Sequence, residues 1–154
     1  MRYEGLLDEA YKLGIFVQEE PIKGKLKGLY SDNVIWIDKN LDNTKEKYCI
    51  MAEEMGHYHT SSGDILNQSK LSNRKQEVRA RSWAYEEAVP LQKIVEAHKE
   101  FIRNKFELAN FLDVTEEFLD QAILRYKEKY GDTVNLESYT ICFEPLGVIE
   151  WFDK

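Results

Sequence analysis

The sequence predicts an α+β fold that is mainly helical, with a small antiparallel sheet near the N-terminus and a strand pair at the C-terminus. Two observations predict it: several segments repeat apolar residues at helical spacing, and short apolar segments bounded by turn residues lie towards both ends. A chain of 154 residues is the size of one domain, and it contains no internal repeat or linker. We therefore expect a single domain over residues 1–154.

Composition and charge narrow the class of protein. The hydrophobic fraction of 43% and the aromatic fraction of 12% are typical of a folded domain. The 28 acidic side chains outnumber the 21 basic ones, which disfavours direct nucleic-acid binding because phosphate contacts need a basic patch. No apolar run approaches the roughly 20 residues of a membrane span, so we expect a cytoplasmic protein. Cys49 and Cys142 lack metal-ligand spacing, and we expect two reduced packing residues.

The N-terminal part of the chain predicts two helices with three short strands between them. The helices are expected at 3–13 and 44–60, and the strands at 15–17, 26–30 and 34–37. Gly14 ends the first helix, and Ser31-Asp32-Asn33 has the composition of a hairpin turn. Asn43 and Glu46 have the spacing of a capping pair at the start of the second helix.

The remainder predicts further helices and the terminal strand pair. Helices are expected at 73–91 and 91–101, a helix-turn-helix at 105–125, and strands at 139–143 and 148–152. Asn73, with Gln76 three residues later, is expected to cap the first of these helices, and Pro90 to mark its end. Thr115 is expected to begin the second helix of the helix-turn-helix, and His98 to face solvent.

The stretch from Met51 to His59 carries the pattern Glu53-Glu54-x-x-His57 on the 44–60 helix, one residue away from the H-E-x-x-H zinc-protease motif. Positions i and i+4 of a helix share one face, so Glu53 and His57 can both reach one metal ion. Glu54 would then point at a water in the open position of the metal. Such a five-residue pattern also occurs on solvated helix faces.

The helix after it supplies a third candidate ligand. Glu77, Ala80 and Ala84 fall at i, i+3 and i+7, which places one carboxylate and two small residues on one stripe. Small residues allow close helix approach, so this stripe could deliver Glu77 to the face that carries Glu53 and His57. Three protein ligands plus water is the arrangement of a catalytic zinc ion. Glu77 is equally compatible with an ordinary first-turn glutamate.

Together the two helices resemble the ImmA/IrrE family of metallopeptidases, which occurs in prophages, conjugative elements and their bacterial relatives. In that family an H-E-x-x-H helix precedes a helix of the form E-x-x-A-x-x-[FW]-A-x-x-L-L-x-P. The second helix here reads Glu77-x-x-Ala80-x-x-Trp83-Ala84, and Pro90 closes it.

The resemblance implies a zincin-like metallopeptidase with one Zn²⁺ ion. Glu54 would be the catalytic base, and Glu53, His57 and Glu77 the metal ligands. Glu53 departs from the family pattern, because it stands where the family has a histidine. His59 would replace Glu53 as a ligand only if the helix unwound after Gly56.

The family role predicts a protein substrate, namely a helix-turn-helix repressor of a prophage or mobile element. We therefore predict a zinc-dependent endopeptidase, with no direct nucleic-acid or membrane partner. One alternative is a regulator that binds a repressor without cleaving it. Another is DNA binding through residues 105–125. The acidic residues Glu116, Glu117 and Asp120 argue against it, because they lie at the end of the second helix that would face the phosphates. Tyr58, Tyr85 and His98 are unranked candidates for stabilising the oxyanion.

Overall fold

The computed structural model describes residues 2–60 and 70–151. Within these ranges the chain forms six helices and six strands, in the order α1 (Arg2–Lys12), β1 (Phe16–Glu20), β2 (Gly28–Ser31), β3 (Val34–Asp38), α2 (Thr44–Thr60), α3 (Lys70–Ala88), α4 (Leu91–Lys99), α5 (Lys105–Leu112), α6 (Glu116–Tyr130), β4 (Thr133–Leu136), β5 (Tyr139–Phe143) and β6 (Leu146–Glu150). The prediction of a mainly helical α+β fold is confirmed. Two compact units divide the chain, Met1–Ala84 and Tyr85–Lys154, and the boundary falls inside α3.

The first unit contains a three-stranded sheet in the order β1-β3-β2. β3 occupies the centre, and its Ile35 and Ile37 are fully buried. β2 pairs with β3 in the antiparallel sense, but β1 pairs with β3 in the parallel sense. The prediction of a purely antiparallel sheet is therefore wrong. Apolar alternation indicates which face of a strand is buried, but it carries no information about the direction of the neighbouring strand.

A two-residue turn connects β2 to β3. Asp32 and Asn33 have φ of 46° and 63°, both in the left-handed region, as the central residues of a type I′ hairpin turn require. Asparagine and aspartate tolerate this region better than other non-glycine residues. The turn reverses the chain at the position that the sequence predicted, and the register pairs Ser31 with Val34.

Two helices cover this sheet. In α1 the buried residues Tyr3, Leu6 and Ala10 follow the spacing of one helical face. The hydroxyl of Tyr3 donates to Glu19 of β1 at 2.7 Å, and Lys47 of α2 lies 3.1 Å from the same carboxylate. One acidic side chain of β1 therefore contacts both helices.

The helix α2 has the bounds that the sequence predicted. Its start is fixed by Asn43, whose side-chain oxygen accepts a hydrogen bond from the backbone N–H of Glu46 at 2.9 Å. Met51, Ala52 and Met55 are fully buried and form its inner face.

The helix α3 begins and ends earlier than predicted. It starts at Lys70, so Asn73 lies inside the helix and the prediction of Asn73 as its cap is wrong. The spacing of Asn73 and Gln76 is that of a capping pair, but such a pattern also occurs within helices. The helix ends at Ala88, and Pro90 adopts an extended conformation as the N-cap of α4. Pro90 thus stands between the two helices, where proline cannot extend α3.

The second unit contains α4, α5 and α6. Thr115 caps α6, as predicted, by accepting a hydrogen bond from the backbone N–H of Phe118 at 3.1 Å. Tyr126 of α6 is buried, and its hydroxyl donates to the carbonyl of Val89 at 2.8 Å. α4 stops at Lys99, before the predicted end at residue 101, because Phe101 turns to a φ of 64°.

A three-stranded antiparallel sheet in the order β4-β5-β6 completes the second unit. The prediction of a strand pair was therefore incomplete, because β4 was missed. Its four residues alternate between exposed and half-buried positions and follow directly on the end of α6, so their apolar signal is weak. No helix in the described part of the chain is long and apolar enough to cross a membrane.

Candidate active site

The helix α2 places three candidate side chains at one cleft. Glu53 and His57, four residues apart on the helix, both line the cleft and are half-buried. Glu54 lies between them and is only 8% exposed, which makes it the one buried charged residue among the described residues. A carboxylate is rarely buried without a partner, because burial removes its hydration. The position of Glu54 therefore calls for a functional explanation.

The helix α3 brings Glu77 to the same cleft. Its Oε1 lies 3.2 Å from Nε2 of His57, and this contact joins the two helices that carry the predicted ligands. Arg81, one turn further along α3, has its Nε 3.8 Å from the other carboxylate oxygen of Glu77. The sequence reasoning missed Arg81, although its i+4 spacing from Glu77 is a recognisable signal.

Close packing of the two backbones allows this contact. A Cβ placed on Gly56 would lie 2.1 Å from the carbonyl oxygen of Ala80, which is far inside any permitted contact. Ala80 and Ala84 are both fully buried. The predicted stripe of small residues on α3 and the mid-helix glycine of α2 thus form the crossing point, next to His57 and one turn from Glu77.

The environment of Glu54 strongly disfavours its charged form. Burial, together with the nearby carboxylates of Glu53 and Glu77, raises the pKa of Glu54 to about 8. Its Oε1 lies 3.9 Å from Nε2 of His57. Its Oε2 is buried and has no hydrogen-bond partner among the residues that the structure describes. A cation or a water in the cleft would supply the missing partner.

The cleft has a volume of about 660 Å³. One wall is α2 with the middle of α3, and the other is β2 with the segment that precedes it. Gly28 of β2 packs against α2, because a Cβ there would lie 2.4 Å from Ile50 and 3.3 Å from Cγ of Glu54. The sequence reasoning did not assign this glycine a role. Leu26 and Leu29 on the same wall are 58% and 46% exposed.

A comparison with known families identifies the class of protein. The family described as Peptidase_M78, IrrE N-terminal-like domain, matches residues 10–124, which is most of the chain. The chain belongs to this family. The match includes both helices of the cleft, and the resemblance seen in the sequence is confirmed. No curated protein matches the chain.

Membership of the IrrE N-terminal-like family makes this a metallopeptidase-type domain, in a family of zinc-type enzymes. Two ligands of one tetrahedral zinc ion lie about 3.3 Å apart, because each is about 2.0–2.1 Å from the metal. The separation of 3.2 Å between His57 and Glu77 agrees with that value. Within residues 2–60 and 70–151, no three acidic, histidine or cysteine side chains are grouped closely enough to hold a metal ion. The 3.2 Å separation of His57 and Glu77 is that of an ion pair and is also compatible with two ligands of one zinc ion, and Glu53 lines the same cleft.

Other residues that the sequence singled out lie elsewhere. The helix α2 continues unbroken to Thr60, and the ring of His59 stacks on Trp83 with centroids 4.5 Å apart. His59 is therefore a packing partner of the family-motif tryptophan, and the unwinding that would make it a ligand does not occur. Tyr58 packs edge-to-face against Tyr30 at 6.2 Å. Tyr85 is buried, and its hydroxyl donates to Gln121 at 3.2 Å.

Proposed function

We propose that this protein is a zinc-dependent endopeptidase that cleaves a repressor of a prophage or mobile element. The observation that carries the proposal is the 3.2 Å contact between His57 and Glu77 beside the buried carboxylate of Glu54, in a chain of a metallopeptidase family. His57 and Glu77 would hold one ion, and the side chain of Glu53, which lines the same cleft, would move to join them on metal binding. When bound, zinc supplies Lewis acidity to an attacking water and to the scissile carbonyl.

Glu54 would transfer the proton. Its carboxylate takes a proton from the attacking water and passes it to the nitrogen of the leaving amine, so that the peptide bond breaks as the new C–O bond forms. Burial supports this role because it holds the pKa of Glu54 near neutrality, at about 8. A positive charge in the cleft favours the carboxylate form and opposes the effect of burial. The residue would therefore alternate between its two protonation states during turnover.

The peptide substrate would lie along β2. This strand is at the edge of its sheet and lines the cleft, so an extended peptide can add to it as a further strand. Gly28 presents no side chain between β2 and α2, which keeps the wall close to Glu54. The exposed side chains of Leu26 and Leu29 would contact apolar side chains of the substrate.

The donor set would make this a weaker zinc enzyme than one with two histidine ligands. The carboxylates of Glu53 and Glu77 bring two negative charges to the ion, which offset part of its own charge. The attacking water would then be less acidic, and turnover slower. Glu53 is the residue that causes this difference.

The test is cleavage of a helix-turn-helix repressor of the same mobile element, incubated with zinc-loaded protein. We expect Glu54→Gln to retain zinc and lose cleavage, and His57→Ala to lose both. Glu4→Gln, an exposed substitution on α1, is the control for loss of one acidic charge. Unchanged cleavage by Glu54→Gln would refute the mechanism. Wild-type protein that binds the repressor fully but contains no stoichiometric zinc would instead support the non-cleaving regulator.

A further inference from the structure

The second unit contains a groove of about 970 Å³, lined by residues of α4, α5, α6, β5, β6 and the connections between them. We call it the α4–α6 groove. Somewhat more than half of its surface is apolar, with contributions from Ile94, Ile102, Leu108, Leu124, Leu146 and Val148. Leu124, on the wall of this groove, is 58% exposed. The volume lies at the upper end of the range for small-molecule sites, about 300–1,000 Å³.

Charge distinguishes this groove from its surroundings. Residues 85–154 contain 15 acidic and 8 basic side chains, so this part of the chain is strongly acidic. The groove itself is lined by more basic than acidic side chains. Lys105 pairs with Asp120 at 2.9 Å, and Lys127 pairs with Glu144. Within each pair the positive and negative charges cancel. The positive charge of Arg103 is then the one that no acidic residue of the groove lining compensates.

Arg103 has no carboxylate partner among the described residues. Its Nη1 donates to the carbonyl of His98 at 3.1 Å and to that of Ile102 at 3.5 Å, and lies 3.4 Å from Nδ1 of His98. Its guanidinium also lies 5.3 Å from the centre of the Phe101 ring. Nε and Nη2 form no hydrogen bond within the described part of the chain. That edge of a guanidinium matches the two oxygens of a carboxylate, sulfonate or phosphate.

The backbone beside Arg103 turns sharply at the end of α4. Phe101 has a φ of 64°, in the left-handed region that commonly follows the last residue of a helix. The backbone N–H of Ile102 donates to the carbonyl of Ala97 at 3.1 Å and closes this turn. The turn places Arg103 directly after α4, with its guanidinium against the exposed ring of Phe101.

We propose that the α4–α6 groove binds a small amphipathic oxyanion. The carboxylate, sulfonate or phosphate group of the ligand pairs with Arg103, and its apolar body covers Leu124, Ile102 and Val148. A positive, unneutralised group at the rim of an apolar groove selects for a ligand that is both acidic and apolar. This site is separate in its chemistry from the proposed peptidase reaction, and neither requires the other.

The experiment compares two fluorescent dyes on the full-length protein. Anilinonaphthalene sulfonate and N-phenylnaphthylamine share the same ring system, but only the first carries a sulfonate. We expect the sulfonate dye to bind more tightly. Arg103→Gln should weaken it about ten-fold or more, because a charge-assisted hydrogen bond is lost, and leave the neutral dye unchanged. Arg125→Gln, which removes an arginine of the same unit outside the groove, should change neither.

A second variant tests the apolar part. Leu124→Asp places a carboxylate on the groove wall at an exposed position, so we expect the protein to fold and the sulfonate dye to bind more weakly than the neutral one. Decanoate should displace the sulfonate dye at a lower concentration than decan-1-ol. Equal binding of the two dyes to the wild-type protein would overturn the proposal. An equal effect of Arg103→Gln and Arg125→Gln would do the same.

Discussion

Replacing Gly56 by alanine tests whether the crossing of α2 and α3 depends on the absence of a side chain. In a helix interior, alanine is favoured over glycine by about 1 kcal/mol. At position 56 the new Cβ would lie 2.1 Å from the carbonyl oxygen of Ala80, a backbone atom that cannot rotate away. Overpacking of this kind costs about 1–3 kcal/mol or more. At 2.1 Å from a backbone atom the cost falls in the upper part of that range, so after the gain of about 1 kcal/mol we expect Gly56→Ala to lower the free energy of unfolding by about 1–2 kcal/mol.

Gly5 provides a matched control. It also lies within a helix, α1, but nothing stands within 4 Å of the Cβ that an alanine would add. Gly5→Ala should therefore raise the free energy of unfolding by up to about 1 kcal/mol. The two variants make the same chemical change and should differ in sign.

The assay is urea unfolding of the metal-free protein, followed by circular dichroism, with the free energy extrapolated to water. Zinc content after reconstitution provides a second measurement, because separation of the helices should also move Glu77 away from His57 and weaken zinc binding. The reasoning is refuted if Gly56→Ala stabilises the protein as Gly5→Ala does, since the crossing would then have room for a methyl group.

The remaining predictions concern charge and hydrogen bonding. The pKa of Glu54 is raised to about 8, so its protonated form stabilises the metal-free fold at low pH, and this contribution is lost as the pH rises from about 4.5 to 8. In Glu54→Gln the free energy of unfolding should not fall over this pH range, as measured by unfolding at several pH values. Glu53→His should raise zinc affinity and Glu53→Gln lower it, as measured by competition with a chelator. Tyr126→Phe should destabilise the protein by about 1–2 kcal/mol in urea unfolding, because its buried hydroxyl donates to the carbonyls of Val89 and Tyr85.

Much of the first unit could be predicted because its signals are local. The capping pair of Asn43 and Glu46 predicted where α2 begins, and the spacing of Met51 and Met55 predicted its apolar face. The spacing of Ala80 and Ala84 was enough to predict a close approach of α3. Residues four apart lie on the same face of a helix, and alanine side chains on that face leave room for another backbone. The contact of Glu77 with His57 follows from that approach.

Other features could not be predicted because they depend on neighbours that are distant in sequence. The burial of Glu54 results in part from β2, whose Gly28 lies against α2 from 26 residues upstream. The parallel pairing of β1 with β3 depends on the path of residues 21–27, which carries no directional signal. Phe101 takes a conformation that its residue type disfavours, and so the end of α4 was placed too late.

The wall formed by β2 has a consequence for engineering. Its contact with α2 is made through Gly28, where any side chain would collide with Ile50, whereas Leu26 and Leu29 of the same segment line the cleft and are exposed. Under the proposed function, randomising the two leucines would change the preference for peptides and leave intact the spacing around Glu54. If Gly28 were varied as well, β2 would move away from α2, and its effect could not be separated from a change in peptide selectivity.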